Sequence, residues 1–303
     1  MTSPSASPEI GPWRRARPLL GTYVEITLDA PGAPYPTQAF ETAFAQIGRI
    51  HHLMSWHAPD SDVGRINRAP TGHWLNIDPC TAVVLHTARM LWQRSGGLFD
   101  ITCERHLRTC GLLPADSSGW AVDRMGGMAD LELDNGARVR LHRPLTVNLD
   151  GIAKGYAVDR AVAVLQAQGV TTGCVNAGGD LRLFGPAPQA VCLRDPRQPT
   201  RLWSMGEHRE IALATTGSYF LGAAAEAPSA VIHPASGQAV TLPGSITVTA
   251  PRCMHADALT KVAALAHAGR LNLSPLFESL GATAHLFPPV SEETPHGFCT
   301  AHQ

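Results

Sequence analysis

Lysine is nearly missing from this chain. Only Lys154 and Lys261 occur in 303 residues, beside 22 arginines. Arginine therefore serves wherever a generic cation suffices, and a position that keeps lysine calls for a compact, mobile ammonium rather than a planar guanidinium. Charge is scarce overall, at 16% of residues, against about 25% in an average soluble domain. The formal net charge is −1, near balance. That excludes the electrostatic footprint of a nucleic-acid or anionic-membrane binder. No apolar stretch is long enough to span a bilayer as a helix, so no membrane insertion is expected. The N-terminal segment MTSPSASPEIGPWRR lacks the apolar core and cleavage signal of a secretory leader, and the expectation is a soluble cytoplasmic protein. The seven cysteines are an odd, scattered set, read as thiols in a reducing compartment rather than a disulfide framework. Cys103 and Cys110 flank Glu104 and His106, but their spacing is not that of a zinc site.

What is present is glycine and proline, 28 and 24 residues, which implies a fold with many turns. Residues 1–12 are rich in Ser and Pro and read as a disordered tail; residues 288–303 read as a loose one. Between them, 13–287 reads as a single domain without internal repeat or clear boundary. GTYVEITL (21–28) alternates as a strand. In 39–54, Phe40, Phe44, Ile47, Ile50 and Leu53 recur at helical spacing, with Thr37 as the expected N-cap. Residues 81–97, 155–169 and 255–269 read as three further helices, the first two closed by glycine. Residues 111–146 read as short strands and turns. Segments 173–185, 209–217, 229–237, 245–251 and 283–287 read as strands. Long helices mixed with hairpin-like strands, without a βαβ rhythm, predict an α+β fold of mixed sheets with flanking helices.

Three segments could carry chemistry. In NLDGIAKGYAVD (148–159), small residues lead into a helix N-terminus, where free N–H groups favour an anion and Lys154 adds a mobile charge. The alternative is a strand-to-helix turn with a solvated lysine; the phosphate-loop spacing is absent. In NAGGDLRLFG (176–185), paired glycines before Asp180 either bring backbone against a ligand or build a hairpin turn. In HADALTKVAAL (255–265), Asp257 and Lys261 share a helix face. They form an exposed ion pair, or Asp257 holds Mg2+ with Thr260 beside it. Of the 14 histidines, His233 in VIHPASG sits at a turn and stands nearest to chemistry.

Together these segments form an ordered series: LGT (20–22), MSWHAPDSDVGRIN (54–67), GLFDIT (97–102), NLDGIAKGYAVD (148–159), NAGGDLRLFG (176–185), ATTGSYF (214–220), IHPASG (232–237) and SITVTAP…ADALTK (245–261). The series resembles the FAD:protein FMN transferases, the ApbE-type flavin transferases, over about residues 20–270. The resemblance implies an α+β fold that clasps FAD, Mg2+ at the pyrophosphate, and transfer of FMN to a Ser or Thr hydroxyl of an acceptor flavoprotein as AMP leaves. It implies flavin contacts at Leu20, His57, Leu98, Phe99, Asp100, Asn148, Lys154 and Val231. It implies metal ligands at the Gly151 carbonyl, Asp257 and Thr260, with position 261 beside them.

The chain departs from the family pattern at three places. The usual Asp-x-x-x-Thr on the last helix is Asp257-Ala-Leu-Thr260-Lys261, and a charged ammonium cannot ligate Mg2+. The usual His-x-x-Asp-Pro is Ala230-Val-Ile-His233-Pro234, and Asn148 replaces an Asp. The resemblance thus leaves His233 as the base candidate, and either a weaker metal site of Asp257 and Thr260 or Lys261 as a cation standing in for part of the metal's charge. Two alternatives accompany transfer: a pyrophosphatase that gives FMN and AMP, and a non-catalytic FAD-binding protein.

Overall fold

The computed structural model describes residues 12–29, 36–111, 124–195, 198, 200–217, 231–240, 242 and 244–287. The two expected tails, apart from Pro12, lie outside these residues, as does Ala230. Strands β1 (Trp13–Leu19) and β2 (Thr22–Asp29) form a hairpin. The sequence reading began at Gly21 and missed β1, where Arg14, Arg15 and Arg17 crowd out an apolar alternation. Leu20 and Gly21 form the turn, both at positive φ, 56° and 70°. A turn of that hand matches the twist of the flanking strands.

Helix α1 (Thr37–Met54) buries Phe40, Phe44, Ile47, Ile50 and Met54 on one stripe. Its N-cap is Pro36, so Thr37 is the first helical residue rather than the cap. After α2 (Asp62–Ile66) and β3 (Leu75–Asn76) comes α3 (Pro79–Arg94). It starts two residues before the expected position, because the Asp78 carboxylate accepts the Cys80 N–H and Pro79 takes the first helical position. Then follow α4 (Glu104–Thr109), β4 (Leu131–Leu133), β5 (Arg138–Leu141) and α5 (Ala153–Ala167). The chain continues with β6 (Thr172–Ala177), β7 (Asp180–Phe184), β8 (Gln189–Arg194), β9 (Leu202–His208), β10 (Ile211–Gly217) and β11 (Ser245–Ala250). Helices α6 (Cys253–Gly269) and α7 (Ser274–Ser279) precede β12 (Thr283–Phe287).

Seven strands make one antiparallel sheet in the order β1-β2-β6-β7-β10-β11-β12. Helix α1 packs on α5, α5 on α6, and α6 on β10 and β11. Val24, Ile26, Leu28, Ala212 and Ala214 belong to the main core, while Leu213 joins Leu183 and Val191 in a smaller cluster. Successive side chains of β10 thus point to opposite faces, and that strand is covered on both. The α+β expectation holds. The expected strand at 229–237 does not appear as such: within 231–240 the ladder reduces to one bridge, Ile232 to Ala239, around a turn. Cys192 is disulfide-bonded, which corrects the reading of all seven cysteines as thiols. No helix among the described residues is long and apolar enough to cross a membrane.

Candidate active site

The site is organised where the first turns of α5 and α6 pack side by side. A Cβ on Gly155 would lie 2.3 Å from the Cys253 carbonyl oxygen, so only glycine permits this backbone approach. Each helix caps the other. Asp159 of α5 accepts the Cys253 and Met254 N–H groups at the start of α6, both at 3.0 Å, and pairs with Arg182 at 2.8 Å. Asp257 of α6 accepts the Gly155 N–H at the start of α5, at 3.1 Å. Neither helix has a capping side chain of its own, so each carboxylate also satisfies orphan donors and opposes the positive end of a helix dipole.

Above this junction lies a cavity of about 470 Å3. It brings together Leu98, Phe99, Asp100, Asn148, Gly151, Lys154, Val231 and Lys261 of the expected residues, and adds Asp150, Asp180, Thr215 and Thr216. A second cavity, about 270 Å3, is lined by Leu20 and His57 and shares Asp150 and Lys154 with the first. Trp56 and His57 stack in its wall, ring centroids 3.9 Å apart. Asp100 is held by Thr102, whose N–H and hydroxyl donate to it at 2.7 and 2.5 Å. Asn148 Oδ1 accepts the Asp150 N–H at 2.8 Å, which turns the chain into α5.

Three expected residues do not reach the cavity. Asp257 is fully buried beneath it, with no accessible surface. Thr260 is equally buried, and its hydroxyl donates back to the Asp257 carbonyl at 2.7 Å. His233 lies on the turn of the 231–240 segment, where its Nδ1 accepts the Ser236 N–H at 3.4 Å. It is absent from the lining of both cavities, although its neighbours Ile232 and Pro234 line the larger one.

Four charges alternate around the junction. Lys154 lies 3.4 Å from Asp180 and donates to the Asp150 carbonyl at 3.2 Å. Lys261 lies 2.5 Å from Asp257 Oδ1 and donates to the Asp257 carbonyl at 3.0 Å. Asp257, then Asp180 and Asp150, hold the Lys154 ammonium well above the usual lysine range, against burial. Burial pushes the Asp257 carboxyl up, but Lys261, Lys154 and the Gly155 N–H together outweigh it and keep it low. Asp180 goes the other way: burial first, then the Asp257 charge, push it up to about 6. Burial also pushes the Cys103 thiol up to about 12, so it is no ready nucleophile. A pocket with two cations and small residues at a helix N-terminus suits a phosphate-bearing ligand.

A family model for the ApbE family matches residues 20–273. The chain belongs to the ApbE family. It is similar to a Vibrio cholerae protein named FAD:protein FMN transferase, 25% identical over 260 residues, which are 80% of this chain and 78% of that one. A Rhodobacter capsulatus protein of the same name is 29% identical over 217 residues, 66% of this chain and 41% of that one. Among solved structures, the ApbE protein of Thermotoga maritima aligns with TM-score 0.76 and 25% identity, covering 90% of this chain and 93% of that one. The flavin transferase ApbE of Vibrio cholerae aligns with TM-score 0.73 and 23% identity over 90% and 93%, a likeness of fold.

The Mg2+ that the resemblance implies does not fit the residues present. Mg2+ takes about six oxygens in near-octahedral order. Here both Asp257 carboxylate oxygens already accept donors, Oδ1 from Lys261 and Oδ2 from Gly155. The Thr260 hydroxyl turns into its own helix. Among the described residues no three His, Cys, Asp or Glu side chains gather as a metal set. The sequence names both lysines and, in the wall, Leu98, Phe99, Asp100, Asn148, Gly151 and Val231. Asp150 and Asp180 are not among the contacts that the resemblance implies, although Asp180 follows the paired-glycine turn of 176–185. Gly178 explains that turn: at φ 67° its Cβ would lie 2.5 Å from Thr22 Oγ1, so β6 and β7 can press against the β1–β2 hairpin only with glycine there.

Proposed function

We propose that the chain transfers FMN from FAD to a Ser or Thr hydroxyl of a partner flavoprotein and releases AMP. The observation that carries this reading is the placement of both lysines in one cavity, with Lys154 shared by the smaller one. FAD is a two-part ligand with a pyrophosphate in the middle, and two cavities that meet at a lysine suit that shape. Leu98, Phe99 and Val231 offer an apolar wall for the flavin, and Asp100 and Asn148 offer polar edges.

In the proposed step the acceptor hydroxyl oxygen bonds to the FMN-side phosphorus. The bond from that phosphorus to the bridging oxygen breaks, its electron pair leaves with AMP, and the hydroxyl proton passes to solvent. A loose phosphoryl-transfer transition state asks for positioning and charge neutralisation more than for early proton abstraction. Lys154 and Lys261 answer the second demand, and we assign no step to His233. One observation favours a second reading, a chain that holds FAD without turning it over: no histidine lines the larger cavity among the described residues.

The test is to incubate the purified protein with FAD and a denaturable extract of its own cells, then to measure AMP and covalent flavin in a denaturing gel. Transfer gives both. Hydrolysis gives AMP and free FMN without a labelled protein. Retained FAD with neither product leaves the binder reading.

A further inference from the structure

We propose that Lys261 is the resident cation of the pyrophosphate site, so that this chain binds FAD without a divalent metal. The inference rests on the reading above that the cavity takes FAD. It comes from the mismatch between the donor set and Mg2+.

Among the described residues Asp257 is the fully buried carboxylate under the cavity, and a buried carboxylate must be matched by a cation. Lys261 supplies it from the next turn of the same helix, 2.5 Å from Oδ1 and 3.0 Å from the Asp257 carbonyl. The other oxygen is taken by the Gly155 N–H. A metal entering here would have to displace the ammonium and would then find Thr260 turned away. The ammonium itself is not sealed in. Its side chain keeps 27% of its surface exposed, and Lys261 lines the larger cavity with Lys154. An ammonium carries three donors, and two are committed to Asp257. The third is free to meet a phosphate oxygen. Gly151 stands beside the lysine stem: its Cβ position lies 3.4 Å from Lys261 Cε, ordinary contact distance. Arginine is common everywhere else in the chain, yet a planar guanidinium five donors wide cannot replace this compact charge between a carboxylate, a carbonyl and a ligand.

The proposal makes Lys261 a binding residue for the phosphates, and charge rescue separates that role from a purely structural one. FAD is titrated by flavin fluorescence into metal-stripped protein, with EDTA or with millimolar Mg2+. For the unaltered chain the two dissociation constants should agree within about twofold. Lys261→Thr restores a hydroxyl and frees the Asp257 carboxylate. It should weaken FAD binding in EDTA by about tenfold or more and recover with Mg2+. Lys261→Met keeps the stem and removes the charge, and it should lose affinity in EDTA without full recovery. Should Lys261→Thr fail to fold, Lys261→Met and Mg2+ calorimetry on the unaltered chain decide, with no saturable Mg2+ heat expected. FAD binding that is tenfold tighter with Mg2+ in the unaltered chain overturns the proposal and leaves the FAD reading intact. Full affinity of Lys261→Met in EDTA overturns it as well. Failure to bind FAD under every condition removes the function reading and this inference with it.

Discussion

Gly155→Ala is expected to lower stability although alanine is the better helix former. On an exposed helix the change would help by about 0.5–1 kcal/mol. Here the new Cβ would lie 2.3 Å from the Cys253 oxygen, 2.6 Å from the Cys253 carbonyl carbon and 2.8 Å from Met254 Cα. All three are backbone atoms, so no side chain can swing away. Ordinary contact requires α5 and α6 to part by about 1 Å in an interior packed like a crystal. Overpacking of this kind costs about 1–3 kcal/mol. Parting also stretches the 3.1 Å bond from Gly155 N–H to Asp257. A bond to a buried charged acceptor contributes about 1.5–3 kcal/mol. Net of propensity, the loss is ~2–5 kcal/mol, a large share of the ~5–15 kcal/mol that holds a domain. Asp257 anchors Lys261, so FAD affinity should fall in parallel. Urea midpoints and FAD titrations of the two proteins read both effects. A Gly155→Ala protein as stable as the parent, with unchanged FAD affinity, refutes the account of the α5–α6 junction.

Other substitutions probe independent parts of the argument. Asp159→Ala removes the acceptor for the Cys253 and Met254 N–H groups and strands Arg182; a loss of about 1–2 kcal/mol in urea unfolding is expected from the cap alone. Asn67 donates to the Val147 carbonyl at 2.9 Å and accepts the Val147 N–H at 2.7 Å, both buried. Asn67→Ala should cost about 2–4 kcal/mol by the same measurement. Asp180 has a folded pKa raised to about 6 from its ordinary 3.8 by burial and the Asp257 charge. The native state therefore takes up this proton more readily, so the group's contribution to stability is full below its ordinary value and is lost as pH rises through about 6. Asp180→Asn should flatten the stability profile in that window, and parallel profiles for the two proteins contradict the assignment.

Helix α1 was legible because Phe40, Phe44, Ile47 and Ile50 keep a helical period that ends up buried. Strand β2 was legible because Val24, Ile26 and Leu28 alternate into the core. Strand β1 was not, since Arg15 and Arg17 take the inward positions between Trp13 and Leu19, and its edge position is set by pairing with β2 rather than by its own pattern. The cap of α1 was misread at Thr37 because a Thr before an apolar run is a good cap signal, yet Pro36 takes that place. At the site, the two lysines stood out by rarity, and the family series assembled most of the cavity wall. The inward turn of the Thr260 hydroxyl was hidden, because it depends on a rotamer that bonds the carbonyl three residues back. The distance of His233 from the cavity was hidden too, since the expected strand there is a turn around one bridge. The α5–α6 cross-capping links residues 94 to 102 positions apart, beyond any local pattern.

The central claim is that this cavity passes FMN from FAD to a protein hydroxyl. In-gel flavin fluorescence after denaturation, with AMP measured in the same reaction, tests it most directly. The account predicts a fluorescent protein band that requires both this chain and FAD, with AMP released in equal amount. FAD that stays bound while neither AMP nor a labelled band appears contradicts it.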